Sequence, residues 1–333
     1  MIRSLLIRGG FLSILSLAFL ATWNSGSANQ APPLRWYKGN LHTHTLNSDG
    51  DSTPSDVASW YRDHRYQFLV LSDHNYLTEV DGLNAIHGAK EKFLLIAGEE
   101  VTDSFQGKPV HVNAYNLSRF VAPTHGSSLV ATIQGNVNAI REARALPSLN
   151  HPNFRWAVTS QDLLQVENLP LFEVYNGHPL VHNQGGGGSE SLEEMWDVLL
   201  SADKRVYGIA VDDAHNFKTM GPKLSNPGRG WVMVRAPELT KEAIAAALSA
   251  GNFYASSGVE LVDAAATESE LRIQIKPESD TRYTTKFIGA GGKVLATSFG
   301  TEAAYRFASG EKYVRAKVEA STGDEAWVQP HFR

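Results

Sequence analysis

Apolar runs of four to six residues alternate with amphipathic helical segments between about residues 36 and 258. Helix start signals stand between several of the runs, at Thr53 and Ser189, and a last helix is predicted at about residues 240–250. The alternation is typical of β/α units around a parallel sheet, and seven units favour a TIM-like (β/α)7 barrel. The runs predict strands at residues 37–41, 67–71, 93–97, 110–115, 146–149, 171–175 and 206–211.

After Gly258 the pattern changes to an alternation of apolar and polar residues, as at residues 271–275 and 313–318. Glycine-containing turn signals separate these runs. A period of two predicts strands with one buried face. We therefore expect residues 259–333 to form a small antiparallel, sandwich-like β domain that follows a barrel of residues 29–258.

The first residues have the pattern of an export signal. Arg3 and Arg8 precede an apolar run at residues 11–21, and small residues follow it. This pattern predicts a signal peptide of residues 1–28, cleavage after Ala28, and export to the periplasm or out of the cell. The run is too short for a comfortable bilayer span, so we expect no stable membrane insertion after cleavage; an uncleaved anchor is the alternative.

Composition narrows the possible chemistry. The 333 residues include twelve histidines and no cysteine, and 30 Lys+Arg stand against 35 Asp+Glu. Without thiols the chain has no disulfide scaffold, no cysteine-rich zinc site and no cysteine nucleophile, so a metal can be bound only by His, Asp and Glu. A mildly acidic chain without a basic run is not expected to bind nucleic acid. Small phosphorylated substrates remain possible.

Histidines and carboxylates collect at the ends of the predicted strands. His42 and His44 end the first strand two residues apart, and Asp213 and His215 form a second such pair after the seventh. Residues i and i+2 point to the same face of a strand, so both members of a pair reach one ion. Parallel α/β proteins place their active sites at the carboxyl ends of strands. The candidate ligands are His42, His44, Asp49, His74, Glu99 or Glu100, His111, His151, Asp213 and His215.

The donor types indicate which ions to expect. Imidazole and carboxylate ligands together favour Zn²⁺, Mn²⁺ or Fe²⁺ over Ca²⁺ or Mg²⁺, which prefer oxygen ligands. About nine ligands exceed what one tetrahedral ion needs. We therefore expect two or three divalent transition metal ions, with a carboxylate that bridges at least two of them.

The order of these motifs resembles the four-motif signature of the PHP (polymerase and histidinol phosphatase) superfamily. The matching segments are His42-Thr-His44-Thr-x-x-Ser-Asp49-Gly, Ser-Asp-His74, Gly-x-Glu100, His111, Asn-His151-Pro and Asp213-x-His215. Three later features resemble the carbaryl-hydrolase-like branch of that superfamily: Phe172-Glu-Val-Tyr-Asn-Gly-His178, the turn at Gly230-Trp231, and the closing Ala326-Trp-Val-Gln-Pro330.

The resemblance implies a distorted (β/α)7 barrel, the PHP fold, with a three-metal centre. The implied ligand sets are His42, His44, Glu100 and Asp213 for one ion, Asp49, His74 and His215 for a second, and Glu100, His111 and His151 for a third. Glu100 would be the bridge. Either Glu99 or Glu100 satisfies the third motif; Glu100 fits Gly-x-Glu, and the alternation of the strand would then turn Glu99 away.

Other side chains near these motifs are candidates for catalysis or positioning. His178, after the sixth strand, is a candidate general acid or extra ligand, or else a loop histidine. Asp73 and Asp212 flank ligands; each orients a histidine N–H or is a strand-end carboxylate. Cationic side chains that follow the last motif are candidates for anion binding or for solvated surface charge: Lys218, Lys223 and Arg229.

These features predict a metal-dependent hydrolase whose metal-bridging hydroxide cleaves a small-molecule phosphoester, either a monoester or a diester. The alternative is a carbamate or carboxylic ester hydrolase with the same metal centre, and a third hypothesis is a periplasmic metal- or ligand-binding protein. A phosphate site needs Lys or Arg near the metals, whereas an aryl ester needs an aromatic wall such as Trp156 or Trp231. The oligomeric state is left open by the sequence.

Overall fold

All seven strands expected before Gly258 form, and the third extends to Phe105. The computed structural model describes residue 1, residues 32–91 and residues 93–333, and Pro33–Arg333 form one compact unit. Apart from Met1, the predicted signal peptide and its cleavage point after Ala28 lie outside the described residues. Within the described ranges, no helix is both long enough and apolar enough to cross a membrane.

The chain alternates strands and helices up to α6 and contains only strands and short turns after it. The helices are α1 (Pro54–Asp63), α2 (Asp81–Glu91), α3 (Leu129–Glu142), α4 (Ser160–Leu163), α5 (Leu192–Ser201) and α6 (Lys241–Ser249). The first nine strands are β1 (Arg35–Asn40), β2 (Phe68–Leu71), β3 (Leu94–Phe105), β4 (Lys108–Tyr115), β5 (Leu146–Leu149), β6 (Leu171–Asn176), β7 (Tyr207–Val211), β8 (Trp231–Ala236) and β9 (Phe253–Ser256). The remaining strands are β10 (Leu261–Ala266), β11 (Glu270–Ile275), β12 (Tyr283–Gly289), β13 (Lys293–Phe299), β14 (Glu302–Arg306), β15 (Tyr313–Ala320) and β16 (Glu325–Phe332).

Side-chain caps set where the helices begin. Thr53 accepts a hydrogen bond from the Asp56 N–H, as expected for a start at this threonine. The start expected at Ser189 is wrong, because Ser191 caps α5 instead. Its hydroxyl accepts the Glu194 N–H, and the Glu194 carboxylate accepts the Ser191 N–H, which satisfies two otherwise free donors.

The fourth strand runs in the opposite direction to the one expected. β1, β2 and β3 are parallel to each other, as are β5, β6 and β7, but β4 is antiparallel to both β3 and β5. Gln106 and Gly107 connect β3 to β4, and both have positive φ angles, of 50° and 80°, as the tight turns of hairpins require. The start of β4 therefore lies at the same edge as the carboxyl ends of the parallel strands.

The (β/α)7 barrel is not observed as a closed sheet among the described residues. β1 pairs with β2 on one side and with the antiparallel β8 on the other, so β8 occupies the edge that closure against β7 would use. The residues that follow β1 and those that follow β7 do meet, because Thr43 and Ala214 form an isolated parallel bridge. The observed architecture is a mixed α/β fold around a thirteen-stranded sheet in the order β13-β12-β15-β16-β9-β8-β1-β2-β3-β4-β5-β6-β7.

The last seven strands pair only in antiparallel fashion. β12, β13, β15 and β16 extend the large sheet through β9, and β10, β11 and β14 form a separate three-stranded sheet. Apolar side chains from both sheets, among them Ile273 and Phe287, share one core. The large sheet runs across Gly258, so the domain boundary at that residue stays a prediction.

One side chain connects the last strand to the first part of the chain. The Gln329 amide of β16 donates to the Gly208 carbonyl of β7 at 2.8 Å and accepts the Gly208 N–H at 3.0 Å. The Gln329 side chain thus forms the two hydrogen bonds that a neighbouring strand would form with β7, and β7 is the strand at the edge of the sheet.

A buried ion pair fixes β15 to α5. The Arg315 guanidinium, with 1% of its side chain exposed, donates to both carboxylate oxygens of Asp197 at 2.7 Å. The Tyr313 hydroxyl donates to the same carboxylate at 3.1 Å. Two parallel hydrogen bonds between guanidinium and carboxylate define the orientation of both groups, so this pair positions the helix against the strand.

We predict that Asp197→Ala lowers the free energy of unfolding by about 3 kcal/mol, because the buried guanidinium loses its two-bond partner and keeps only the Glu193 carboxylate at 3.4 Å. Urea denaturation followed by circular dichroism measures the change. The matched control is Asp63→Ala, which removes an exposed partner of Arg62 and is expected to cost less than about 1 kcal/mol. Equal losses in the two variants would show that the buried pair does not stabilise this contact.

Candidate metal centre

The Glu100 carboxylate lies at the centre of a ring of histidines. Glu100 is a residue of β3 and is fully buried. Its Oε2 lies 2.8 Å from His74 Nδ1, and its Oε1 lies 3.0 Å from His111 Nδ1. The same Oε1 is 3.3 Å from His151 Nε2 and 3.4 Å from His42 Nε2. The reversed β4 brings His111 here, because its first half runs back along β3.

The residues after β1 and β7 form the inner part of this cluster. His42 and His44 share one face, and their Nε2 atoms are 3.1 Å apart. Both Nε2 atoms lie 3.2 Å from Asp213 Oδ1. A hydrogen bond from the Asp213 N–H to the His42 carbonyl, at 3.0 Å, sets the two segments side by side.

Asp49 closes the outer part of the cluster. Its Oδ1 is 3.3 Å from His215 Nε2 and 3.5 Å from His44 Nδ1, and its Oδ2 is 3.5 Å from His74 Nε2. The Asp49 side chain is 55% exposed, whereas the inner carboxylates are buried. The centre therefore opens to solvent on the side of Asp49.

All nine residues expected as ligands lie in this one cluster, and their role as ligands stays a prediction. Their donor atoms group differently from the implied sets, because His44 faces both the inner and the outer part. Four groups have donor atoms close enough to share an ion: His44, Asp49, His74 and His215; His42, His151 and Asp213; His42, His44 and Glu100; and His74, Glu100 and His111.

The donor atoms fit a bound cation. Glu100 Oε2 and His111 Nδ1 are buried and form no well-aligned hydrogen bond within the described part of the chain, although they lie 2.8 Å from His74 Nδ1 and 3.0 Å from Glu100 Oε1. Leaving buried polar atoms unpaired is costly, and a cation between them would satisfy both. The contact between the Nε2 atoms of His42 and His44 also fits a shared ion. Glu173 Oε1 lies 2.6 Å from His42 Nδ1 and accepts the N–H of a neutral ring there, which leaves Nε2 without a proton.

Charges in the centre compensate one another even without a metal ion. Burial opposes the charged form of His42, but the carboxylates around it hold its pKa well above the ordinary value. Carboxylates likewise overcome burial at His74 and raise its pKa to about 10. The neighbouring histidines hold the pKa of Glu100 well below its ordinary value despite its burial. Burial and the neighbouring His215 lower the pKa of His44 to about 4.

Glu173 of β6 orients two of the histidines, and the sequence analysis missed it. It is fully buried, and its Oε1 accepts the His42 Nδ1–H. Its Oε2 accepts the backbone N–H of His151 at 2.8 Å and the Asn176 side-chain N–H at 2.8 Å. A carboxylate that holds one ring nitrogen directs the other toward a metal. The available signal was a single charged residue inside the apolar run at residues 171–175.

Two amide side chains were also missed. Asn150 donates to Glu100 Oε1 at 2.7 Å, and Asn176 donates to Asp213 Oδ2 at 3.2 Å. Each holds one oxygen of a carboxylate in the cluster, while the second oxygen of that carboxylate faces the histidines. Asn150 precedes His151 directly, so the motif containing that histidine was the available signal.

Asp73 and Asp212 have contacts other than the ones expected. Asp73 is buried and accepts hydrogen bonds from Thr45, Ser48 and Thr78, not from a histidine in the described part of the chain. It therefore shapes the loop after β1, and the role of orienting a histidine N–H is wrong for it. Asp212 accepts from the Tyr61 hydroxyl and from backbone N–H groups after Gly228. Burial raises its pKa.

The two adjacent glutamates point to opposite faces of β3. Glu100 faces the histidines, while Glu99 Oε2 accepts the Val121 N–H at 3.1 Å on the other face. Burial raises the pKa of Glu99 to about 7. The geometry therefore favours Glu100 as the carboxylate of the centre, as strand alternation requires.

His178 reaches the cluster from the loop after β6. Its Nδ1 accepts the Leu180 N–H at 3.2 Å, and its ring centre lies 5.6 Å from that of His215. Since Nδ1 accepts a hydrogen bond, the neutral ring carries its proton on Nε2 and cannot also bind a metal there. The contact favours a hydrogen-bond donor over an extra ligand.

A pocket of about 230 Å³ opens onto the cluster. Its wall contains no Lys or Arg among the described residues, and its one aromatic carbocycle is Phe154. Trp231 is buried in the core and forms no aromatic wall, so that expectation is wrong. The Arg229 guanidinium donates to the Gly177 and Gly221 carbonyls, and two lysines are exposed outside the wall: Lys218 and Lys223.

A comparison with solved structures shows a likeness that extends over most of the chain. No protein-family model matches the chain. A two-domain protein from Bacteroides vulgatus, described as containing a predicted PHP-like metal-dependent phosphoesterase, matches with a TM-score of 0.52 and 18% identity over 87% of this chain and 92% of that one. An amidohydrolase from Chromobacterium violaceum matches with a TM-score of 0.38 and 16% identity over 56% of this chain and 93% of that one.

One curated relative is similar in sequence over a short segment. A 5'-3' exoribonuclease from Haemophilus influenzae is 30% identical over 110 residues, or 33% of this chain and 37% of that protein. The chain thus spans well under half of this relative. The Bacteroides structure shows that the chain has a PHP-like α/β fold over most of its length, and function has to be argued from the site.

We predict that Glu173→Gln lowers the affinity for divalent metal about 10- to 100-fold, because the amide no longer holds His42 with Nε2 directed at the ion. Isothermal titration with Zn²⁺ or Mn²⁺ measures the change. The matched control is Glu99→Gln, a buried glutamate on the other face of β3, which is expected to keep the affinity of the unchanged protein. An equal loss of affinity in Glu99→Gln would show that the effect of Glu173→Gln does not depend on its contact with His42.

Proposed function

We propose that this protein is a metal-dependent hydrolase that cleaves a small-molecule phosphoester. The observation that carries the proposal is the cluster of nine His, Asp and Glu side chains, in which two buried ligand atoms, Glu100 Oε2 and His111 Nδ1, form no well-aligned hydrogen bond within the described part of the chain. The PHP-like fold supports it, because the described relative of that fold is a predicted phosphoesterase.

The centre is proposed to hold two or three divalent transition metal ions, Zn²⁺, Mn²⁺ or Fe²⁺. Bound ions would supply the activation of water near neutral pH and the neutralisation of negative charge on the ester oxygens. Glu173 keeps His42 in the tautomer that leaves Nε2 free. Asn150 and Asn176 hold the carboxylates of Glu100 and Asp213.

His178 is proposed to donate its Nε2–H to an ester oxygen. The Leu180 N–H fixes the tautomer, and burial lowers the pKa of His178, so near neutral pH the ring acts as a neutral hydrogen-bond donor. Such a donor stabilises charge that develops on an oxygen in the transition state.

A carbamate or carboxylic ester is the second candidate substrate, as in the carbaryl-hydrolase-like branch. The absence of Lys and Arg from the described pocket wall, and the presence of Phe154 there, favour it. The same activated water would attack a carbonyl carbon instead of phosphorus.

We also propose that the strands form a distorted barrel and that the protein is exported. The bridge between Thr43 and Ala214 supports a distorted (β/α)7 barrel that closes only at the site edge. The export signal expected at residues 1–28 supports a periplasmic or secreted hydrolase.

We predict that the purified protein contains more than one equivalent of a transition metal, and that chelation abolishes hydrolysis until Zn²⁺ or Mn²⁺ is restored. Elemental analysis and a screen of aryl phosphates, bis-aryl phosphates and naphthyl carbamates test this. His74→Ala is expected to lose metal and activity, while the control His64→Ala, an exposed histidine outside the cluster, keeps both. Full activity in the chelated protein would refute the mechanism.

We predict that His178→Phe lowers kcat about 100-fold with little change in metal content, because it removes one transition-state donor. His178→Gln, which keeps an N–H donor, is expected to recover part of the loss. Steady-state kinetics and metal analysis distinguish the alternatives: loss of metal in His178→Phe would make His178 a ligand.

A further inference from the structure

Large apolar side chains are exposed on the loops that surround the candidate metal centre. Eight such side chains are exposed between Pro33 and Gly258 in the described part of the chain, and five of them lie on loops after β1, β2, β5, β6 and β7. Three come two residues after a histidine of the site. The five, called the rim here, are Leu46, Tyr76, Trp156, Leu180 and Met220.

Hydrogen bonds join these loops in a continuous row. Asn47 donates to Thr78 at 2.8 Å and so joins the loops after β1 and β2. Asp51 accepts the Phe217 N–H at 2.9 Å and joins the loops after β1 and β7.

Further hydrogen bonds join the loops after β5, β6 and β7. Arg229 bonds the carbonyls of Gly177 and Gly221 and joins the loops after β6 and β7. Asn153 donates to the His182 carbonyl at 2.9 Å and joins the loops after β5 and β6. The loops that carry the rim are therefore joined in one row, and the same loops or the residues just before them supply histidines of the pocket wall.

The loop after β5 exposes its tryptophan under backbone strain. Arg155 and Trp156 both have positive φ angles, of 52° and 53°, which non-glycine residues rarely adopt. The indole stacks on His182 with ring centres 4.4 Å apart and an interplanar angle of 4°. Strain of this kind persists where a site requires it.

The pocket wall itself offers an ester few apolar contacts. Phe154 is the one apolar side chain of the wall in the described part of the chain. An apolar substituent that extends from an ester in the pocket therefore finds further apolar contacts on the surrounding loops, and a diester carries two such substituents.

We propose that the substrate is a phosphodiester with apolar, preferably aromatic, substituents that bind the rim. This rests on the proposed hydrolase function. Water adds to phosphorus, one P–O bond forms and one breaks, and the leaving oxygen takes the electron pair and a proton. The products are an alcohol or phenol and a phosphomonoester.

Binding of compounds that cannot be hydrolysed tests the proposal independently of catalysis. Diphenylphosphinate has one charge and two phenyl groups joined by P–C bonds, and dimethylphosphinate has the same charge without the rings. Isothermal titration of the metal-loaded protein is expected to show diphenylphosphinate binding at least about tenfold more tightly than dimethylphosphinate, because each buried ring adds apolar contact.

Leu46→Ser and Leu180→Ser are each expected to weaken diphenylphosphinate about three- to tenfold while leaving dimethylphosphinate unchanged. The matched control is Leu34→Ser, since Leu34 is 54% exposed against 55% for Leu46 but lies before β1, at the opposite edge. This control is expected to bind both probes as the unchanged protein does.

Equal binding of diphenylphosphinate and dimethylphosphinate, or binding of diphenylphosphinate by the rim variants as tight as by the unchanged protein, would overturn the inference. Cleavage of naphthyl carbamate without binding of diphenylphosphinate would overturn it too. Hydrolysis of monoaryl phosphates alone would contradict the diester assignment and leave the proposed function standing. Rim-dependent binding without hydrolysis of any ester would support the rim and refute the hydrolase.

Discussion

Burial of the Glu100 carboxylate among histidine rings is the constraint from which the rest of the structure follows. A fully buried carboxylate requires hydrogen-bonding or positively charged partners, and ring nitrogens of His74, His111, His151 and His42 lie within 3.4 Å of it. Those rings come from four different strand ends, so the strands must converge at one edge. The reversed β4 is the clearest result of this requirement, because only a strand that begins at this edge places His111 beside Glu100.

Sequence patterns predicted the parts of the fold and site that depend on local order. Seven apolar runs became seven strands, and motif spacing collected nine side chains that the fold does bring together. The direction of β4 was missed, because a run of apolar residues looks the same in a parallel and in an antiparallel strand. Glu173 was missed because its function depends on His42, 131 residues away. For Asp73 the sequence left open a histidine partner or a strand-end role for the same reason: the hydroxyls it binds come from loops whose paths the sequence does not show.

Strand ends and loops have different roles at the site. Strand ends hold the charged and imidazole groups at fixed distances, while the loops beyond them are tied to one another by side-chain hydrogen bonds. Because Leu46, Tyr76 and Leu180 each follow a site histidine by two residues, the rim cannot move without disturbing the centre. Recognition and chemistry are thus coupled through very short stretches of backbone.

The pairing of Gln329 with Gly208 has a consequence for how the chain can be divided. β7 ends the large sheet, and an uncovered edge strand invites pairing with other molecules. One amide from the last strand satisfies both backbone groups of Gly208. A protein cut after Gly258 would therefore expose that edge and be prone to aggregate, so the C-terminal strands protect the solubility of the part that carries the site.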